Sequence, residues 1–404
     1  MPDLPYLLYL GDVPIEATYH GSLLLYRLLE RYPANKLSIL EAGQEASAPE
    51  RRLRDVRYQN VAPAGVRLLR TRFHHEYATF LLWTQGWRLQ KMRRESALHG
   101  IEGVLTVAHG FSWIAAARFA RRYDLPLHLI VHDDWPHTTR VSRGVKAQLN
   151  TMFAHFYRQA ASRFCVSPFM EKEYKTRYDV SGLVLYPSRG FNVKKYSCRP
   201  ARVMDGDVGL KFAFAGTINS GGYARVLAHL AEELSKTNGE LVVYGPHTFG
   251  SLEYWGLDQP NVRPGGWLNP GELLDHLRRE VDVLFAPMSF EDVGERENME
   301  LSFPSKLADY TAVGLPLLIC GPRYCSAVKW ADDYSPVAEV VFSEDRAELA
   351  QAISRLQPSQ HRQFLAERAL AVGERLFSHV EAERTFFSAL AQSIRGKPRR
   401  RNNL

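Results

Sequence analysis

A chain of 404 residues, 45% hydrophobic and 24% charged, is an ordinary globular protein, too long for one core and suited to two domains of about 150–200 residues. No apolar run approaches the roughly 18–20 residues that span a bilayer, Met1-Pro2-Asp3-Leu4-Pro5 lacks a signal peptide's basic region, and Cys165, Cys198, Cys320 and Cys325 form no CxxC pair, so a cytoplasmic protein with reduced thiols is expected. The net charge of +7 gathers in the tail 395–401, at 51–54 and between Arg67 and Arg94, yet no zinc-finger spacing, RNP motif or helix-turn-helix supports nucleic acid as a partner.

In chain order, the apolar pattern predicts a strand at 7–10, a helix at 20–31 and a strand at 104–108. A helix at 113–122 and strands at 127–131, 164–167 and 183–186 follow. Charged, proline-containing sequence at 194–207 reads as a linker, after which the alternation restarts. Strands are expected at 212–215 and 241–244 around a helix at 224–234. A loop holding Asn261-Val262-Arg263 and Gly266-Trp267-Leu268 leads to a helix at 270–279 and a strand at 281–285. Helices at 345–356 and 359–375 precede a last amphipathic one at 379–394, with Phe386, Phe387, Leu390 and Ala391 on one face. The alternation implies an α/β protein with two Rossmann-like, doubly wound domains facing across a cleft, the default site. The expected boundaries are 1–195 for the N-terminal acceptor domain and 205–376 for the C-terminal donor domain. A helix at 377–394 should pack back on the N-terminal domain, ahead of a basic tail at 395–404.

The most informative stretch is Phe303-Pro304-Ser305-Lys306-Leu307-Ala308-Asp309-Tyr310, closed by Gly314-Leu315-Pro316 and the apolar Leu317-Leu318-Ile319. Pro304 and Ser305 start a helix and Gly314 stops it. Such a helix start aims free N–H groups and a positive dipole end at whatever precedes it, which suits a diphosphate. Lys306 adds a full charge, and Asp309 follows one turn on, where a ribose hydroxyl would complete a nucleotide clamp. The plainer reading of this segment alone, an amphipathic helix with a glycine stop, is equally open. The segment resembles the donor-binding signature of retaining glycosyltransferases of the two-Rossmann (GT-B) type, family 4 in particular.

The resemblance extends through the C-terminal half. Phe212-Ala213-Phe214-Ala215-Gly216-Thr217-Ile218 is similar to the family's first donor-domain strand and glycine turn, and Leu241-Val242-Val243-Tyr244-Gly245-Pro246 to its second. Asn261–Leu268 resembles the region whose backbone meets the base, and 281–287 the strand entering the donor loop. The N-terminal half matches more loosely, at Phe164-Cys165-Val166-Ser167 and Tyr186-Pro187-Ser188-Arg189-Gly190-Phe191. Two departures stand out. Where the family carries an Arg and a Lys for the diphosphate, this chain has Thr217 and Gly222, leaving Lys306, Arg225 and Arg189 as replacements. The second acid of the family's Glu-x7-Glu pair aligns with Asp309, and the first is either Glu300 or Glu291, ahead of an acidic insertion at 292–301 read as a lid.

What the resemblance implies is transfer of a sugar from a nucleotide-sugar donor to a glycan or lipid-linked acceptor, with retention, as in bacterial polysaccharide or glycolipid assembly. No cofactor is expected: the nucleotide-sugar is a substrate, and the diphosphate is stabilised by helix N-termini and cations rather than a metal. Donor contacts are assigned to Gly21 (where a plain helix start is equally open), Gly216, Asn219, Tyr244, Leu268, Pro304, Ser305, Lys306, Leu307 and Asp309. Catalytic roles go to His109, with His132 as its alternative beside Asp133 and Asp134, and to Glu300. A lone His after a strand is more often structural, and the family position is what raises His109. Aromatic and basic residues in 73–94 suit peripheral contact with the inner face of a membrane, although a core helix with a basic edge fits them as well. A nucleotide-sugar epimerase, or a scaffold that has lost turnover, would share the fold.

Overall fold

The computed structural model describes residues 3–404 except 18–19, 64–65, 85–99, 140, 195, 197–208, 219, 246–251, 292–295 and 396–404. Asn219, most of the expected linker and the basic tail thus lie outside the described residues. The chain divides into two compact units, residues 1–188 with 379–404, and residues 189–378. The first boundary falls seven residues ahead of position 195, because Arg189 is built into the second unit: its N–H donates to the carbonyl of Phe377.

In the first unit the strands are β1 (Leu7–Gly11), β2 (Leu37–Glu41), β3 (Arg57–Asn60), β4 (Gly103–Val107), β5 (Leu127–Val131), β6 (Ser162–Cys165) and β7 (Leu183–Val184). They pair in the order β3-β2-β1-β4-β5-β6-β7, parallel throughout. β1, β4 and β5 are buried along their whole length, as parallel strands covered on both faces must be, and hence read as largely apolar runs, in which the buried Thr106 donates to the carbonyl of Leu10 and His128 meets Ser162. β2 and β3 were not expected. β3 is the edge strand Arg-Tyr-Gln-Asn, with no apolar run to reveal it. The helix His379–Arg395 belongs to this unit, where Phe386, Phe387 and Leu390 join Leu25, Leu28 and Leu29 in one apolar core.

The second unit repeats the plan with β8 (Lys211–Ala215), β9 (Glu240–Tyr244), β10 (Val262–Gly266), β11 (Val283–Pro287), β12 (Leu317–Cys320) and β13 (Glu339–Val341). Their order is β10-β9-β8-β11-β12-β13, again parallel. β10 corrects the expected loop at 261–268. Pro264 and Gly265 disguise a strand that the sheet edge tolerates, since an edge proline needs no ladder partner on its outer side. The strand expected at 281–285 forms two residues later. Each sheet reverses its winding once, at β1/β4 and at β8/β11, and the carboxyl ends of those strands are where open α/β sheets hold ligands.

Candidate functional site

In the second unit, the turn after β8 and the helix Lys306–Val313 form one piece of structure. The backbone at Gly216 has φ +152°, and a Cβ on Gly245 would lie 2.5 Å from the Gly216 carbonyl oxygen, so the β8 and β9 turns pass each other glycine against backbone. Tyr310 ties the helix to the end of β8: its hydroxyl accepts the N–H of Ala215 at 2.7 Å. Arg189 donates to the carbonyl of Ala308 at 3.1 Å and to Thr311 Oγ1 at 3.2 Å, and pairs with Glu374 at 3.0 Å. Arg278 donates to the carbonyl of Val313 at 2.6 Å, next to Gly314 in the left-handed conformation. Arg278 thus complements the negative end of the helix dipole and Arg189 braces the helix from its side, while the opposite end opens at the glycine turn.

Lys306 sits at that opening. Its ammonium lies 4.2 Å from the centre of the Phe214 ring and 5.6 Å from that of Tyr223, and a Cβ on Gly216 would come within 3.5 Å of it. The residue keeps some surface exposure, but the charged end is sunk between aromatic faces, and burial pushes its pKa down to about 7. No carboxylate among the described residues forms an ion pair with it. The other two candidate cations are engaged, Arg189 as above and Arg225 with Glu344 at 2.7 Å and Glu291 at 3.7 Å. The missing family lysine also has a reason. A Cβ on Gly222 would lie 2.3 Å from Ser289 Oγ, so a side chain there would have to displace the buried Ser289.

The remaining nominated residues divide. Ser305 makes no capping bond with its side chain. The N–H of Leu307 donates to the carbonyl of Pro304 and that of Ala308 to Ser305, so the amides left over by this turn are those of Ser305 and Lys306. Leu307 itself is buried in the core. Asp309 lies within electrostatic reach of Arg189. Tyr244 is buried beneath Gly265, with its hydroxyl 3.1 Å from His276 Nε2, and so supports β10 from below. Leu268 follows β10 beside the exposed Trp267. Glu300, on the helix Arg296–Leu301, pairs with Lys329 at 2.9 Å and is not part of this group. Glu291 is: its carboxylate would lie 3.4 to 3.8 Å from a Cβ on Gly222 or Gly221, at the start of the helix after the glycine turn.

Sequence reading missed the supports of this helix. Gly373, on the helix Ser359–Phe377, is one: a Cβ there would meet Thr311 Oγ1 at 2.2 Å and Arg189 Nη2 at 2.3 Å. Alanine gains about 1 kcal/mol of helix propensity over glycine, but overpacking costs about 1–3 kcal/mol and would displace a buried guanidinium. Gly373→Ala is therefore expected to lower the chemical-denaturation midpoint; an unchanged or raised midpoint would contradict this packing.

In the first unit, the ends of β1, β4 and β5 bring Gly21, His109 and His132 together. A Cβ on Gly21 would lie 3.7 Å from His132 Nδ1. Burial pushes the His132 pKa down to about 4; Asp133 opposes this and His109 adds to it, so His132 is neutral at physiological pH. His109 is exposed, its ring 6.4 Å from that of Trp135. Asp12, unremarked in the sequence, fixes this loop. It accepts the N–H groups of Phe111 and Ser112 at 2.6 and 2.7 Å and the Ser112 hydroxyl at 2.7 Å, so the start of the helix Ser112–Arg122 is already capped. Gly110, at φ +59°, is required there, because a Cβ would lie 2.2 Å from Asp12 Oδ2. Asp134 is not available as a base: buried, it binds Tyr174 at 2.6 Å, Arg177 at 2.7 Å and His137 at 2.9 Å, and these partners hold its pKa low.

No protein-family model matches the chain, and no curated protein matches it in sequence. Solved structures do match its fold. Anabaena HepE, in complex with UDP and glucose, is 13% identical over 96% of this chain and 99% of its own, with a TM-score of 0.66. A glycosyltransferase from Rickettsia africae is 12% identical over 97% and 100%, at 0.64. A UDP-forming α,α-trehalose-phosphate synthase from Burkholderia vietnamiensis is 12% identical over 96% and 98%, at 0.61. At these identities the fold is what is shared: two Rossmann-like domains of the GT-B type.

Proposed function

We propose that the chain is a glycosyltransferase that moves a sugar from a nucleotide-sugar donor to a glycan or lipid-linked acceptor, with retention and without a metal. The observation that carries this reading is Lys306, a desolvated ammonium at a glycine turn and a helix start, paired with no carboxylate among the described residues. Such a site favours a dianion by charge, by the amides of Ser305 and Lys306, and by the helix dipole. HepE has been solved with UDP-glucose, which agrees with a nucleotide-sugar as the ligand. In this reading the departing diphosphate is stabilised as its charge develops. His109 orients the acceptor hydroxyl and the transferred sugar, with neutral His132 and Gly21 beside it.

For the carboxylate that meets the sugar, the geometry favours Glu291 over Glu300. Glu291 adjoins the start of the helix Gly221–Ser235, where it pairs with Arg225, whereas Glu300 pairs with Lys329 away from that helix start. Release of nucleoside diphosphate from a panel of sugar nucleotides tests both points. Wild-type protein is expected to release it from one of them, Glu291→Gln to lose about 100- to 1,000-fold, and Glu300→Gln to stay within about threefold. The reverse order of effects returns the role to Glu300. No release from any donor, with or without acceptor, sinks the enzymatic reading and leaves the scaffold.

A further inference from the structure

The helix His74–Trp83 buries Tyr77, Ala78, Leu81 and Leu82 and leaves the opposite side bare. Phe73, Glu76, Phe80 and Trp83 follow one another there at spacings of three and four residues, a single helical stripe. All four are exposed, Trp83 to 81%, and exposed Leu68 on the preceding turn Val66–Arg70 adds to the apolar surface. Solvent-facing tryptophan and phenylalanine on one stripe have no value to a solitary soluble surface. The cations nearby are exposed as well: Arg67, and Arg72 with its guanidinium 4.9 Å above the Phe73 ring. Between Arg67 and Trp83 the sequence has Arg67, Arg70 and Arg72 against Glu76 alone.

We infer that this stripe docks the first unit onto an anionic lipid surface. Aromatic side chains that prefer the headgroup boundary, beside arginines that pair with lipid phosphates, suit contact with the surface of a bilayer. Charge complementarity selects a bilayer over a second copy of the chain, which would bring arginines against arginines. Among the described residues no helix is long and apolar enough to cross a membrane, so the attachment is peripheral. It goes beyond the proposed transfer, and agrees with a lipid-linked acceptor without depending on one.

The test is co-sedimentation of the full chain with vesicles of phosphatidylcholine alone or with about 30% phosphatidylglycerol, at low salt and at about 1 M salt. Binding is expected to the anionic vesicles, to weaken at high salt, and to fall at least tenfold in Phe80→Ser/Trp83→Ser. That variant changes exposed side chains only and should keep wild-type nucleotide binding. Arg67→Glu/Arg72→Glu should remove the preference for anionic lipid. No binding by the wild type, binding indifferent to lipid charge, or unchanged binding by the double serine variant overturns the inference. So does a wild-type dimer that the serine variant turns into a monomer, which would assign the stripe to a second copy. Nucleotide titration of the same samples separates this outcome from failure of the transferase reading.

Discussion

Lys306→Ala is expected to weaken sugar-nucleotide binding by about 100-fold, the upper part of the roughly 1.5–3 kcal/mol that a hydrogen bond to a charged group contributes. The effect should be large because the ammonium is already desolvated against Phe214 and Tyr223 before any ligand arrives. Removing it recovers no solvation for the complex and leaves a buried dianion short of its counter-charge. The free protein should not suffer, since the substitution deletes a charge that burial disfavours. At or below pH 7, Lys306→Ala should therefore unfold no more readily than wild type while binding far more weakly. Joint loss of both would mark a structural lysine instead.

The same lysine sets opposite pH dependences for folding and binding. Its pKa is near 7 when folded and near its ordinary value of 10.5 when unfolded. Between these limits the unfolded chain holds more protons, so this residue's contribution to stability rises with pH across that window. Binding runs the other way. An anion needs the protonated form, so above pH 7 affinity should fall by up to about tenfold per pH unit until the pKa of the complex is reached. A sugar nucleotide suits the measurement, because its diphosphate diester does not titrate there. Lys306→Arg should flatten the profile; a flat wild-type profile would mean that the lysine does not meet the anion.

His109→Ala should reduce turnover by about 100- to 10,000-fold, the range of a positioned proton-transfer group, with donor affinity within about threefold of wild type. The loop between β4 and the helix Ser112–Arg122 holds this ring at the sheet's carboxyl end through Gly110 and Asp12, so truncation removes the imidazole without disturbing its frame. His132, neutral down to about pH 4, adds no titration to the profile between pH 5 and 8. Donor binding that collapses together with turnover in His109→Ala would move this residue from the chemistry to the fold.

Much of this fold is legible because parallel strands buried on both faces are written as apolar runs. β1, β4, β5, β8, β9 and β12 can be read that way, each close to its observed position. Polar β3 and proline-containing β10 could not, since an edge strand needs neither apolar faces nor a full set of donors. The helix start at Ser305 and Lys306 was equally plain, for glycine, proline and lysine act locally. Its supports were hidden. Tyr310 meets Ala215 across 95 positions and Arg189 meets Thr311 across 122, and no local pattern encodes such contacts. Counting residues back from Asp309 points toward Glu300, but an insertion breaks linear counting, and only the fold shows that Glu291 lies at the start of the helix Gly221–Ser235.

A nucleotide-sugar site at Lys306 is open to calorimetric titration with UDP, GDP, ADP and dTDP sugars. One base is expected to bind wild-type protein, with binding lost in Lys306→Ala. Failure of every nucleotide to bind, or equal binding by the variant, would mean that Lys306 holds no sugar nucleotide.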